Sequence, residues 1–394
     1  MNPEIPEDES REITITKETI TDEEKLLISE TIEKKTIGEI KKEELSKFKL
    51  QNPSNKYNLT SYLIPPYISP ESKYYSQDSN EECFTLRFDE TNNNIACGFS
   101  TGRLGLFKLN NKNPNKKNIL FSELSEFPIT CLRWKPHNKT ILLCVTADGL
   151  IYEIHSSSGK ILQKLEEKNN PLMCVDYSND GSLFATGGND KVVKLYNDST
   201  KTLISKLESK NSNFSEHANK LFSVKFNQYN NNMLISGGWD NTLLFYDIRS
   251  KEVNNYLYGA HICGDGMDIK DNYLLTVSWE KKNQIQLWDL RMLKNPYVFQ
   301  VNVNCSDDNN INNTDISFLY SCKFNQKDST FCVCGSNKNL FRIYDYKSLN
   351  MKDIKSVCSM DNMDFASYCC DFSSDGKLLS YGCADSMIRL ISIN

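Results

Sequence analysis

The sequence is poor in the residues that carry chemistry. Four histidines in 394 residues leave little for acid-base catalysis, because imidazole is the usual base near neutral pH. No Cys-x-x-Cys spacing occurs, and Cys332 and Cys334, two apart, have no histidine nearby, so no zinc ligand pattern is present. Glycine-rich phosphate loops are missing too: Gly187-Gly188 and Gly237-Gly238 close apolar runs instead of opening a helix. The longest apolar runs, such as Ile141 to Val145, fall far short of the roughly 20 residues needed to cross a bilayer. Nor is positive charge in excess: 46 Lys and Arg meet 51 Asp and Glu, a net charge of -5, which argues against a nucleic-acid backbone as main partner. The first nine residues are acidic and lack the basic-then-apolar order of a targeting signal. These absences predict a soluble, non-enzymatic protein of the cytoplasm, with the nucleus as an alternative place, and with no cofactor, no metal, no nucleic-acid partner and no membrane insertion.

What is present is ample core material, 39% hydrophobic with 25% charged residues, divided unevenly along the chain. Glu, Lys, Thr and Ile dominate up to Leu50. There, Thr21-Asp22-Glu23-Glu24 has the shape of a capping box, and Leu27, Ile28 and Ile32, then Ile37, Ile40 and Leu45, form a thin apolar stripe at helical spacing. Residues 1–56 therefore read as a charged arm, either partly helical or a solvated tail, and as a candidate second contact for a partner. From Cys83 onward, short β-rich runs separated by polar turns predict an all-β architecture. Most of the 14 cysteines fall inside these runs, where thiols act as small buried hydrophobes.

The runs repeat. Aligning the apolar residue that ends one strand gives Phe88, Trp134, Tyr177, Phe226, Ile269, Phe324 and Phe372, at spacings of 43 to 55 residues. Polar turns such as Ser178-Asn179-Asp180-Gly181 follow, then a second strand ending in small residues, a tight turn and a third strand. Units start near 83, 129, 172, 221, 264, 319 and 366. Several carry an Asp in the turn before the third strand, namely Asp148, Asp190, Asp240 and Asp385, and one third strand ends in Leu287-Trp288-Asp289, with Tyr246-Asp247 and Tyr344-Asp345 as variants.

On these residues the chain resembles the WD-repeat family over roughly 83–394. The resemblance implies a seven-bladed WD-repeat β-propeller over 57–394, each unit giving four strands of one blade. The last unit stops after its third strand at Asn394, so the missing fourth is expected from Tyr57 to Ile64, a β-prone stretch ending at Pro65-Pro66. Lys338 at a turn-Asp position, the stretch Glu280 to Gln284 and the polar insert Asn302 to Thr314 depart from the pattern and mark the fifth and sixth blades as irregular.

His217, Ser236 and Asp240 could be mistaken for a hydrolase triad. With Tyr246 they match instead the family's structural tetrad, which holds a buried carboxylate by pairing it. Family proteins usually bind partners at the rim of the channel, and the residue before the turn Asp would point there: Asn189, Trp239 and Trp279, with Asn337. Exposed Trp is enriched among interface hot spots. Phe222, Tyr320 and Tyr368, at equivalent places in first strands, are candidates to extend that patch, although core packing is their expected role. Asp247-x-Arg249 and Asp289-x-Arg291 resemble the paired motif by which some propellers dock onto the adaptor of a cullin-RING ubiquitin ligase. His261 to Asp268, with two glycines and two aspartates, predicts a bulge near the channel mouth; two carboxylates alone are too few for a cation site. The reading is a non-enzymatic scaffold for protein-protein contacts in a multi-subunit assembly, with ligase substrate recruitment or a cytoskeletal or ciliary assembly as alternatives.

Overall fold

A computed structural model describes residues 56–63, 81–109, 119–208, 216–281, 283–292, 299–301, 317–337, 339–348, 356–360 and 363–394. The expected helical arm lies outside the described residues. The described strands form seven four-stranded antiparallel sheets, the blades of a propeller. Their innermost strands are Cys83–Phe88, Ile129–Trp134, Leu172–Tyr177, Leu221–Phe226, Met267–Lys270, Phe318–Phe324 and Ser367–Phe372, which number blades 1 to 7. In six blades the strands follow one another outward in chain order. Blade 7 takes its outer strand, Tyr57–Leu63, from the other end of the chain: it pairs with Ile388–Ile393 in the register Tyr57 to Ile393 and Leu63 to Ile388. The Asn394 N–H donates to the Lys56 carbonyl at 2.9 Å. The ring is thus closed by hydrogen bonds, and the edge of the last sheet is covered.

Both faces of each blade pack against a neighbour, which is why inner and second strands read as continuous apolar runs. Leu142, Leu143, Cys144 and Val145 are all fully buried. Among the described residues the core is divided into seven apolar clusters, one at each junction between blades. Cys83, Leu86 and Phe88 meet Cys369, Ile388 and Leu390 at the closure of blades 7 and 1. The 13 described cysteines are free thiols and all but Cys263 are buried.

In six blades the ladder between the first two strands slips near the start of the inner strand, a bulge that falls on its second residue at Phe84, Thr130, Met173, Phe222 and Tyr368 and on its third at Tyr320. A bulge re-aims the extra side chain out of the sheet. Blade 5 pairs without that slip and carries the irregular stretch 261–266 in its place. There Gly264 has a φ of +121°, and a Cβ on it would lie 2.7 Å from the Tyr320 carbonyl oxygen, so only glycine fits.

Candidate protein-interaction face

Antiparallel connectivity sorts the turns. Those after second strands, and the loops leading into inner strands, gather at one end of the disc, the upper end. Turns after inner and third strands gather at the lower end. Trp239 and Trp279 therefore lie at the opposite end from Arg249 and Arg291.

At the upper end of blade 4 the tetrad residues meet. His217 Nδ1 is 2.8 Å from Asp240 Oδ2 and its Nε2 is 2.7 Å from Ser236 Oγ, which lies 3.3 Å from the Tyr246 hydroxyl. Asp240 also accepts the N–H groups of Ala218 and Thr242. Burial alone would raise its pKa, but His217 and these donors hold it below the ordinary carboxylate value. With its hydroxyl and ring buried among partners, the group ties the second and third strands, the turn between them and the loop before the inner strand together. Other blades make the same tie differently. In blade 3, Glu167 accepts from Thr186 at 2.5 Å, Asn170 at 2.8 Å and Tyr196 at 2.9 Å, while Lys194 bridges it to Asp190. In blade 1, Glu81 takes Thr101 and Arg103.

Next to the tetrad, aromatic rings form a continuous arc. Phe222 stacks on Trp239 at 5.3 Å between centroids, Trp239 on His261 at 5.8 Å, His261 tilts onto Trp279 at 6.4 Å, and Trp279 onto Phe318 at 4.7 Å. Beyond it, Tyr320 packs edge-on against Tyr368 at 5.2 Å and Tyr368 against Phe84 at 5.5 Å. Such pairs hold their geometry by about 0.5–1.5 kcal/mol each beyond area burial. This corrects two expectations. Trp239 is not an exposed indole: Phe222 and His261 stack against it and its Nε1 is buried. Phe222, Tyr320 and Tyr368 are not fully buried: each sits at a bulge and stays half-buried, although Phe222 also packs against the apolar cluster between blades 4 and 5. Trp279 stays 37% exposed. Asn189 and Asn337 are exposed on blades 3 and 6, flanking the arc.

Below the arc the channel is filled by charge. The residue before each strand-ending position is ionisable in every blade: Arg87, Arg133, Asp176, Lys225, Asp268, Lys323 and Asp371, four cations against three anions. The stretch after His261 supplies the fourth anion. Asp265, from blade 5, pairs with Arg87 of blade 1, with Arg133 of blade 2 at 2.9 Å and with Lys225 of blade 4 at 3.4 Å; such distant blades can share one carboxylate only at the axis. Three acids also accept the backbone N–H of the following blade, Asp371 from Phe88, Asp176 from Phe226 and Asp268 from Phe324, each at 2.9 Å. Burial favours the neutral form of Asp268, yet Lys323 and Lys225 keep it below the ordinary carboxylate range. Asp265 and Asp268 are thus committed to protein cations. This ring was legible in the repeat alignment, one position before the aligned residues.

At the lower end, Arg249 Nη2 is 2.7 Å from Asp247 and Arg291 Nη2 is 2.5 Å from Asp289. The two guanidiniums remain 71% and 60% exposed. Among the described residues no group of three or more His, Cys, Asp and Glu is placed to hold a metal, and no helix is long and apolar enough to cross a membrane.

Three stretches, 159–197, 208–247 and 356–392, match the family model described as WD domain, G-beta repeat. Curated proteins similar to the chain include the anaphase-promoting complex subunit cdh1 of Dictyostelium discoideum, 27% identical over 182 residues, 43% of this chain and 22% of that one. The Poly(A)+ RNA export protein of Schizosaccharomyces pombe is 29% identical over 137 residues, 34% of this chain and 37% of its own. Protein sof1 of the same yeast is 29% identical over 113 residues, 29% and 24% of the two chains. The chain spans well under half the length of these relatives.

Proposed function

Because the chain belongs to the WD-repeat family, we propose that it acts as a non-enzymatic scaffold in a multi-protein assembly, with the upper aromatic arc as its contact face. The observation that carries this reading is Trp279: 37% exposed, yet fixed between His261 and Phe318. A partner that covers it loses little entropy to order the site and gains roughly 2 kcal/mol or more from such an anchor. Asn189 and Asn337 would supply polar contacts at its flanks, and the tetrad His217, Ser236, Asp240 and Tyr246 supplies stiffness. Residues 1–56 serve as a second tether. A relative named as a subunit of the anaphase-promoting complex supports membership of an assembly.

The test is affinity purification of the full chain and of Trp279→Ala at matched expression. The expected outcome is at least a tenfold loss of some co-purifying proteins; an unchanged set overturns the contact face. A second reading, docking onto a ubiquitin-ligase adaptor, is favoured by the two exposed guanidiniums on adjacent blades at the lower end. Arg249→Glu with Arg291→Glu should then release the adaptor alone, and retention of every partner removes that reading.

A further inference from the structure

The arc is aromatic, but its surroundings are acidic. Glu82, Glu216, Glu280 and Asp364 lie on upper turns at blades 1, 4, 5 and 7, against Lys220 and Lys281 in the same region. Glu280 is fixed by a 2.7 Å hydrogen bond from Asn241 Nδ2, and Glu82 accepts from the Tyr368 hydroxyl at 3.4 Å. Asp364 is exposed beside Phe365, itself 41% exposed. The arc also shows which ligand chemistry its rings accept: the Lys220 ammonium sits 3.7 Å from the Trp239 ring centroid and 5.4 Å from that of Phe222. An ammonium or guanidinium over an aromatic face is attracted by the ring quadrupole, and nearby carboxylates add to that attraction.

We propose that the upper face takes a basic segment of a partner protein, with a lysine or arginine laid on the exposed part of Trp279 and Phe318 and its charge directed toward Glu280 and Asp364. This rests on the reading of the arc as the contact face and adds the chemistry of what it contacts. Rings alone would accept any apolar segment; the carboxylates reject acidic ones, since like charges are costly at a desolvated contact.

The experiment uses the full chain and three dye-labelled 12-residue peptides of matched order: one of Lys, Arg, Gly and Ser, one with Glu and Asp in place of the cations, and one with Gln there. Fluorescence anisotropy at moderate salt should give at least tenfold tighter binding of the basic peptide. Trp279→Ala should weaken it about tenfold. Glu280→Gln with Asp364→Asn, which removes both charges while leaving an oxygen at position 280 to accept from Asn241, should abolish the preference. Equal binding of the three peptides, or basic binding that both variants leave unchanged, overturns the inference. If Trp279→Ala loses co-purifying proteins while the peptides show no preference, the contact face stands and the basic partner does not; if Trp279→Ala changes neither measurement, both fall.

Discussion

Blades 3 and 4 secure the same junction with different chemistry. In blade 4 an imidazole, His217, holds Asp240 and Ser236; in blade 3 a carboxylate, Glu167, holds Thr186, Asn170 and Tyr196 and has Lys194 to balance its charge. The repeat therefore demands that the turn, the second strand and the third strand be joined by a buried polar group, not that the group be any one residue. What differs is how each junction fails. Removing Glu167 leaves Thr186, Asn170 and Tyr196 short of an acceptor, and leaves Lys194, only 12% exposed on its side chain, with Asp190 as its remaining partner. Glu167→Ala should cost about 3 kcal/mol or more in urea unfolding, because several buried donors lose their acceptor at once and a largely buried ammonium loses one of its two partners. An effect under about 1 kcal/mol would mean that water replaces the carboxylate.

Blade 4 answers to pH instead. The folded pKa of Asp240 lies below its unfolded value of about 3.9, so its contribution is fully present above that pH and is lost as pH falls through the folded value. Asp240→Asn should destabilise by about 2 kcal/mol at pH 7, and the gap from the parent should shrink below about pH 4. Glu81 in blade 1 gives the opposite slope. Burial raises its pKa despite Arg103 and Thr101, so the parent gains relative to Glu81→Gln as pH falls through that raised value. Acid unfolding curves of the two variants that tilt the same way would contradict these assignments.

The contrast between the blades also explains what could be read from the sequence. The strand-ending residues Phe88 to Phe372 recur because each must fill a junction between neighbouring blades, and burial of that kind leaves a periodic mark. His217, Ser236, Asp240 and Tyr246 match a family pattern residue by residue. Glu167 matches none, since a different residue type does the same job. The aromatic arc was only partly legible, for another reason. Phe222, Tyr320 and Tyr368 occupy strand positions that alternation assigns to the core, and only a one-residue slip in the ladder turns them outward; nothing in a single strand's composition announces a bulge. His261 was invisible as a member because stacking joins residues from separate loops. Trp239 was misjudged because both of its covering rings, Phe222 and His261, come from elsewhere in the chain.

The smallest effect on stability is expected at the lower end, where the clamps look alike to the eye and differ from the upper ties in every energetic respect. Among the described residues, Arg249 and Arg291 pair with their own Asp247 and Asp289, two residues back. The carboxylates pay for this in pKa: hydrogen bonds and charge from Arg249 bring Asp247 down to about 2, and Arg291 lowers Asp289 as well. Water screens both guanidiniums, so the pairs fix the rotamers of two side chains without holding strands together. Arg249→Ala with Arg291→Ala should leave the urea midpoint within experimental scatter at neutral pH, at both low and high salt. A measurable loss would show that these arginines brace the turns after the third strands, as Glu167 and His217 brace the turns before them, and the lower end would then no longer be surface available to a partner.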